Sequence, residues 1–159
     1  MSIEIKKELL EQIFKQIDDK ISILQSEFKV YKDSAANETK STAGDKHDTS
    51  KSMMQLEQEK MGAQLSDILN QKNVLLNISI NKEQKSIGLG SLVYTSNGVF
   101  FISIFSKPIN LNGTNYFPVS IQSPIGKELM KSKKGSSILI NTKEYTILSI
   151  VWSHPNHLL

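Results

Sequence analysis

Large apolar residues near the start of the chain recur at alternating intervals of four and three. Neither Gly nor Pro interrupts this pattern, which consists of Leu10, Phe14, Ile17, Ile21, Leu24, Phe28 and Tyr31. Such a heptad repeat is typical of a helix that packs along one narrow stripe against a partner helix. The sequence therefore predicts one long helix over residues 1 to about 36.

A second heptad stripe follows a polar segment whose only apolar residues, between positions 32 and 52, are three alanines. The stripe consists of Met54, Met61, Ile68 and Leu75, widened by Leu69 and Leu76. Two stripes joined by a short polar turn can bury each other only by folding back. We therefore predict an antiparallel helical hairpin, a coiled coil, over residues 1–78 with its tip near residues 37–50.

The pattern changes after a linker at residues 79–90. Short apolar runs bounded by turn residues are typical of β-strands, and they occur at 91–95, 99–105, 116–121, 137–141 and 145–152. Ser123 and Pro124 have the residue types that begin a helix, so one short helix is expected there. The predicted fold class is α+β, with the helical hairpin followed by a small antiparallel β domain over residues 91–153 and a tail at 154–159.

Composition narrows the possible functions. The chain has no cysteine, which excludes disulfides, thiolate metal ligands and a cysteine nucleophile. All 19 basic side chains are lysine, so bidentate arginine contacts with phosphate or bases are excluded as well. No apolar run approaches the ~20 residues of a membrane span, and we expect a cytoplasmic protein with no membrane partner.

Charge is distributed unevenly along the chain. Residues 1–80 carry 11 Lys and 13 acidic residues, a net charge of −2, whereas residues 81–159 carry 8 Lys and 3 acidic residues, a net charge of +5. This asymmetry is typical of a basic surface that faces an acidic partner, and equally of surface charge that maintains solubility.

Two carboxylates stand three residues apart in the polar segment, at Asp45 and Asp48. If the second helix begins here, both project from one end of the hairpin and offer oxygen ligands to Mg²⁺. Because Mg²⁺ takes about six such ligands, two aspartates can only complete a metal site that a partner owns. The alternative is structural, since Asp45 as N-cap and Asp48 as third helical residue would stabilise the helix by roughly 0.5–2 kcal/mol.

Three short motifs in this chain together resemble the Gre family of bacterial transcript-cleavage factors, which are GreA/GreB-like transcription elongation factors. The motifs are GDKHD at 44–48, GSLV at 90–93, and SPIGKEL at 123–129 before a basic turn. The order of a helical hairpin before a small FKBP-like domain is also that of the family. The resemblance implies a protein that binds RNA polymerase, inserts its acidic tip into the secondary channel and stimulates the polymerase's own cleavage of backtracked RNA. Such a protein is not itself an enzyme.

The resemblance also assigns roles to residues. It implies that Asp45 and Asp48 hold an Mg²⁺ ion shared with RNA polymerase, with no cofactor bound by the protein alone. Lys40, Lys46 and Lys51 are expected to contact the polymerase or the 3′ end of the nascent RNA. Asp48 stands where the family usually has glutamate, so its side chain is one methylene shorter. Two alternatives stay open: a related channel-binding inhibitor, and a structural coiled-coil dimerisation module with no role in transcription.

Overall fold

The computed structural model describes residues 2–39, 46–80 and 86–151, with side chains for 3–34, 52–80 and 86–151. These residues form three helices and six strands. The chain divides into two compact units, one of residues 15–73 and one of residues 1–14 together with 74–159.

The two long helices are α1 (Ser2–Thr39) and α2 (Lys46–Leu76). In the unit of residues 15–73, Asp18 of α1 lies 2.7 Å from Lys72 near the end of α2. Further along α1, Leu24 lines a groove together with Ile68 of α2. Later residues of α1 thus lie beside earlier residues of α2, so the helices are antiparallel. The predicted hairpin is confirmed.

The buried stripe of α1 differs from the predicted one at its start. Leu9 and Ile13 are fully buried, whereas the predicted Leu10 and Phe14 are only partly buried. The physical reason is that residues 1–14 belong to the same compact unit as the sheet, so the orientation of this part of the helix is not decided by α2 alone. Further along, Ile17 and Ile21 are buried and Leu24 and Phe28 are partly buried, as predicted, whereas the predicted Tyr31 is exposed.

The heptad positions of α2 agree with the prediction, but the prediction that Leu69 and Leu76 widen its buried stripe is wrong. Met61 and Leu75 are buried, while Leu69 and Leu76 are 42% and 63% exposed. A helix that packs against one partner helix buries only a narrow stripe, and neighbouring apolar positions stay in water. No helix in the described part of the chain is long and apolar enough to cross a membrane.

The six strands form one sheet in which almost all neighbours are antiparallel. They are β1 (Leu92–Thr95), β2 (Gly98–Ser103), β3 (Ile109–Leu111), β4 (Thr114–Ser120), β5 (Ser137–Ile140) and β6 (Lys143–Val151), in the order β3-β4-β2-β1-β6-β5. With the short helix α3 (Pro124–Met130), this confirms the α+β class.

One strand pair corrects the expected antiparallel arrangement, because β2 and β4 are parallel. The sequence pattern assigned residues 110–113 to a turn, but β3 occupies Ile109–Leu111 and reverses the chain between β2 and β4. Asn112 and Gly113, with φ of +52° and +88°, form the tight connection from β3 to β4.

The sheet is buried on both faces at its centre. Strand β2 is buried continuously from Val99 to Ser103, and alternate side chains of a strand point to opposite faces. One face carries the core cluster that α3 joins through Leu129; the cluster comprises Ile87, Val93, Phe100, Ile102, Leu129, Ile138 and Ile147. Residues 1–14 and the end of α2 are in the same unit, and Leu9, Ile13 and Leu75 are buried.

Candidate functional site

The end of the hairpin is defined by the last residue of α1, Thr39, and the first residue of α2, Lys46. These two residues lie at the same end because the helices are antiparallel. The contact between Asp18 and Lys72 sets the register of the arms, and the midpoint between residues 18 and 72 is residue 45. The two arms are therefore aligned about a point in the sequence just before the start of α2.

Three of the five predicted site residues belong to the described beginning of α2. Lys40 and Asp45 lie outside the described residues. Lys46, Asp48 and Lys51 are the first, third and sixth residues of α2, and their side chains are outside the described part. The third helical position suits Asp48 under both hypotheses, as a metal ligand near the hairpin end and as a capping residue. The roles of all five residues stay predictions.

A metal site complete within this chain would need several ligands close together. Among the residues whose side chains are described, no group of three or more His, Asp or Glu side chains could hold a metal ion.

The SPIGKEL motif begins helix α3 in the manner that its sequence predicts. Ser123 is the N-cap, with φ −69° and ψ 155°, and Pro124 is the first helical residue. The Ser123 hydroxyl accepts a hydrogen bond from the Gly126 amide at 3.0 Å and donates one to the Ser120 carbonyl at 2.7 Å. One side chain therefore joins the start of α3 to the end of β4.

Gly126 in the same motif is required by close packing. A Cβ atom at this position would collide with the backbone oxygen of Ser120 and with the Ser123 hydroxyl. Leu129, one turn further on, is fully buried in the core cluster. Local packing thus accounts for these motif residues without a ligand.

The basic turn after α3, which consists of residues 131–136 (KSKKGS), is held in place by hydrogen bonds. Within it, the Ser132 hydroxyl donates to the Glu128 carbonyl at 2.7 Å, and the Lys133 amide donates to the Ser136 hydroxyl at 3.2 Å. The Gly135 amide donates to the carbonyl of Ile147 in β6 at 2.8 Å. The turn is therefore anchored to both α3 and the sheet.

This basic turn forms one wall of a cavity of about 400 Å³. The other walls come from the linker and β6, and the lining residues are Ser86, Met130, Lys131, Ser132, Lys133, Lys134, Ser149 and Ile150. Sequence reasoning missed the cavity because its walls are distant along the chain. The positive net charge of residues 81–159 was the one available signal.

A second feature that sequence reasoning missed is a buried lysine in the first turns of α1. Lys6 is 0% exposed, and burial lowers the pKa of its ammonium from 10.5 to about 8. It precedes Leu9 by three residues and Ile13 by seven, so it continues the buried stripe of α1. That spacing was the signal in the sequence, but the tertiary structure was needed to show that the residue is buried.

This chain was compared with known protein families, curated proteins and solved structures. No protein-family model matches this chain, and no curated protein matches its sequence. A solved structure described as "Structure of the transcription factor Gfh1" is similar over 89% of this chain and 92% of that chain, with 18% sequence identity and a TM-score of 0.32.

Proposed function

We propose that this protein is a Gre-like transcription elongation factor. It binds RNA polymerase in the cytoplasm and inserts the end of its helical hairpin into the secondary channel. There it stimulates the polymerase's own cleavage of backtracked RNA and has no catalytic activity alone. The sequence motifs at 44–48, 90–93 and 123–129 support the family assignment in this proposal.

The observation that carries the proposal is the register of the hairpin. The contact between Asp18 and Lys72 aligns the arms about residue 45, and α2 begins at Lys46. Helix α2 has 31 residues and is about 46 Å long at the usual rise per residue, which exceeds the radius of a small domain. An acidic pair at this end of the hairpin would be suited to reaching a site inside another macromolecule.

The metal in this proposal belongs to the complex with RNA polymerase. Asp45 and Asp48 would supply carboxylate oxygens, the hard ligands that Mg²⁺ prefers, and the polymerase would supply the rest. When bound, the ion stabilises negative charge on the attacking and leaving oxygens of phosphoryl transfer. Lys40, Lys46 and Lys51 in the same segment would attract the RNA phosphates, with lysine acting as a point charge.

The test is a transcript-cleavage assay on a stalled, backtracked elongation complex with Mg²⁺. The wild-type protein should release short 3′ RNA products, and Asp45→Ala and Asp48→Ala should each abolish the release. Asp67→Ala is the matched control, since Asp67 is an exposed acid nineteen residues beyond Asp48, about 28 Å along the same helix. This control should cleave like wild type.

Two other results would replace the proposal. If the protein binds RNA polymerase and slows elongation without producing 3′ fragments, it is a channel-binding inhibitor. If it fails to bind polymerase and sediments as a dimer, it is a structural coiled-coil module. Equal activity of the wild type and both tip variants would exclude a role for the carboxylates.

A further inference from the structure

The charged side chains among the described residues that line the cavity beside the basic turn are all positive. Lys131, Lys133 and Lys134 line it, and none of the other described lining residues is acidic. Among the described residues, Glu128 forms an ion pair with one of these lysines: its carboxylate lies 3.8 Å from the Lys131 ammonium. The Lys131 side chain is 75% exposed, so this ion pair neutralises it only weakly. The cavity therefore presents about three positive charges.

Hydroxyl groups and apolar side chains complete the lining. Ser86 and Ser149 are exposed and bring O–H donors from the linker and from β6. The Ser132 proton is directed to the Glu128 carbonyl, so this hydroxyl contributes only an acceptor. Met130 and Ile150 provide the apolar part of the lining.

The arrangement is prepared before any ligand arrives. Hydrogen bonds from Ser132 to α3 and from Gly135 to β6 fix the backbone of the turn. Ile147 of β6 donates in return to the carbonyl of Ser136, so the turn is tied to the strand at two places. A ligand would need to order only the lysine side chains, which lowers the entropic cost of binding.

Size and chemistry together select the class of ligand. A cavity of about 400 Å³ is in the range of small-molecule sites. Three ammonium groups match the charge of a diphosphate better than that of one carboxylate, and lysine is an established phosphate ligand. We propose that this cavity binds a small phosphate-bearing anion of nucleotide size, with the phosphates at Lys133 and Lys134 and the apolar part against Met130 and Ile150.

The test uses the full chain without RNA polymerase, with ADP and GDP as probes at about 0.15 M salt. In ¹⁵N-resolved NMR titrations, at least one probe should shift the amide resonances of Ser86, the basic turn and Ser149. These shifts should reach saturation. The double variant Lys133→Gln/Lys134→Gln should weaken this binding by about tenfold or more. Because the assay contains no polymerase, its outcome is independent of transcript cleavage.

The control carries the same change in charge elsewhere in the same unit. Lys107→Gln/Lys143→Gln removes two exposed lysines that do not line the cavity, and it should keep the wild-type affinity. Equal weakening in both double variants would overturn the proposal, because it would show general attraction to a basic domain. The proposal would also be overturned if neither probe gave saturable shifts, or if a glutamate-rich peptide bound more tightly at the same amides. Unchanged NMR spectra of the free variants away from the substituted positions would verify that they are folded.

Discussion

The ammonium of Lys72 and the carboxylate of Asp18 lie 2.7 Å apart, although 54 residues separate them in the chain. This contact ties the second half of α2 to the first half of α1. It requires the chain to reverse between them and fixes the alignment of the two arms. The proposed position of the acidic pair at the hairpin end depends on this alignment.

The first prediction concerns the strength of that ion pair. The side chains of Lys72 and Asp18 are 34% and 53% exposed, so water screens their attraction. A double-mutant cycle with Asp18→Asn and Lys72→Gln should give a coupling free energy of at most about 1 kcal/mol, decreasing as salt is added. Urea denaturation of the four proteins measures it. A coupling well above this value would show that the pair is more shielded from solvent than the structure indicates.

The second prediction concerns Lys6 and pH. Burial lowers the pKa of Lys6 to about 8 from 10.5, so between these values the unfolded state holds a proton that the folded state has released. The free energy of unfolding should therefore rise with pH from about 8 to about 10.5, and the full cost of burying the charge should apply below pH 8. That cost is on the order of 3 kcal/mol at most.

Chemical denaturation across this pH range tests the effect. The slope should disappear in Lys6→Met, and this variant should gain stability relative to wild type most strongly below pH 8. Lys7→Met is the matched control, since Lys7 is the exposed neighbour on the same turn, and it should keep the slope. An unchanged slope in Lys6→Met would assign the pH dependence to another group.

The third prediction compares two glycines. A Cβ atom at Gly126 would collide with the backbone of Ser120, so Gly126→Ala should destabilise the protein by about 1–3 kcal/mol or more. At Gly62, within α2, nothing lies within 4 Å of the Cβ position. Gly62→Ala should instead stabilise by about 0.5–1 kcal/mol, because alanine favours the helix. Thermal or urea unfolding measures both, and a stable Gly126→Ala would contradict the packing of α3 on β4.

The fourth prediction concerns the N-cap of α3. Ser123→Ala removes the hydrogen bonds to Gly126 and Ser120 and should cost about 0.5–2 kcal/mol. Ser123→Thr keeps a hydroxyl that can make both bonds, and it should retain most of the stability. If the threonine variant is as unstable as the alanine variant, the hydroxyl is not the source of the effect.

The fifth prediction follows from the proposed function. Asp48 is one methylene shorter than the glutamate usual in the family that the sequence resembles. If Asp48 acts on a shared Mg²⁺ ion, Asp48→Glu should raise the rate of transcript cleavage by up to about tenfold, because placement of the carboxylate limits the rate. If Asp48 only caps α2, glutamate at the third helical position also suits a capping box, and the rate should stay the same. The cleavage rate thus separates the two roles.

Much of the fold could be predicted from local patterns. Heptad spacing identified both long helices and their antiparallel pairing, and Ser123 with Pro124 located the start of α3, because these signals act within a few turns of one helix. Most of the strands followed from short apolar runs. The three-residue β3 was missed because Asn110 within it and Asn112 directly after it favour turns, and the parallel pairing of β2 with β4 depends on that strand.

Of the two candidate sites, the sequence could predict one and not the other. Asp45 and Asp48 could be selected from the sequence because they stand together in a polar segment between two heptad stripes. The cavity at Lys131–Lys134 could not, because Ser86 and Ser149 reach it only through the folding of the linker and β6.

The sequence by itself determined the helical hairpin and the α+β class, and it selected the acidic pair as a candidate site, since periodicity and turn chemistry are local properties of the chain. Only the tertiary structure decided that Lys6, Leu9 and Ile13 are buried and that the basic turn borders a cavity. Burial is a relation between segments distant in sequence, and it depends on which surfaces the folded chain brings together.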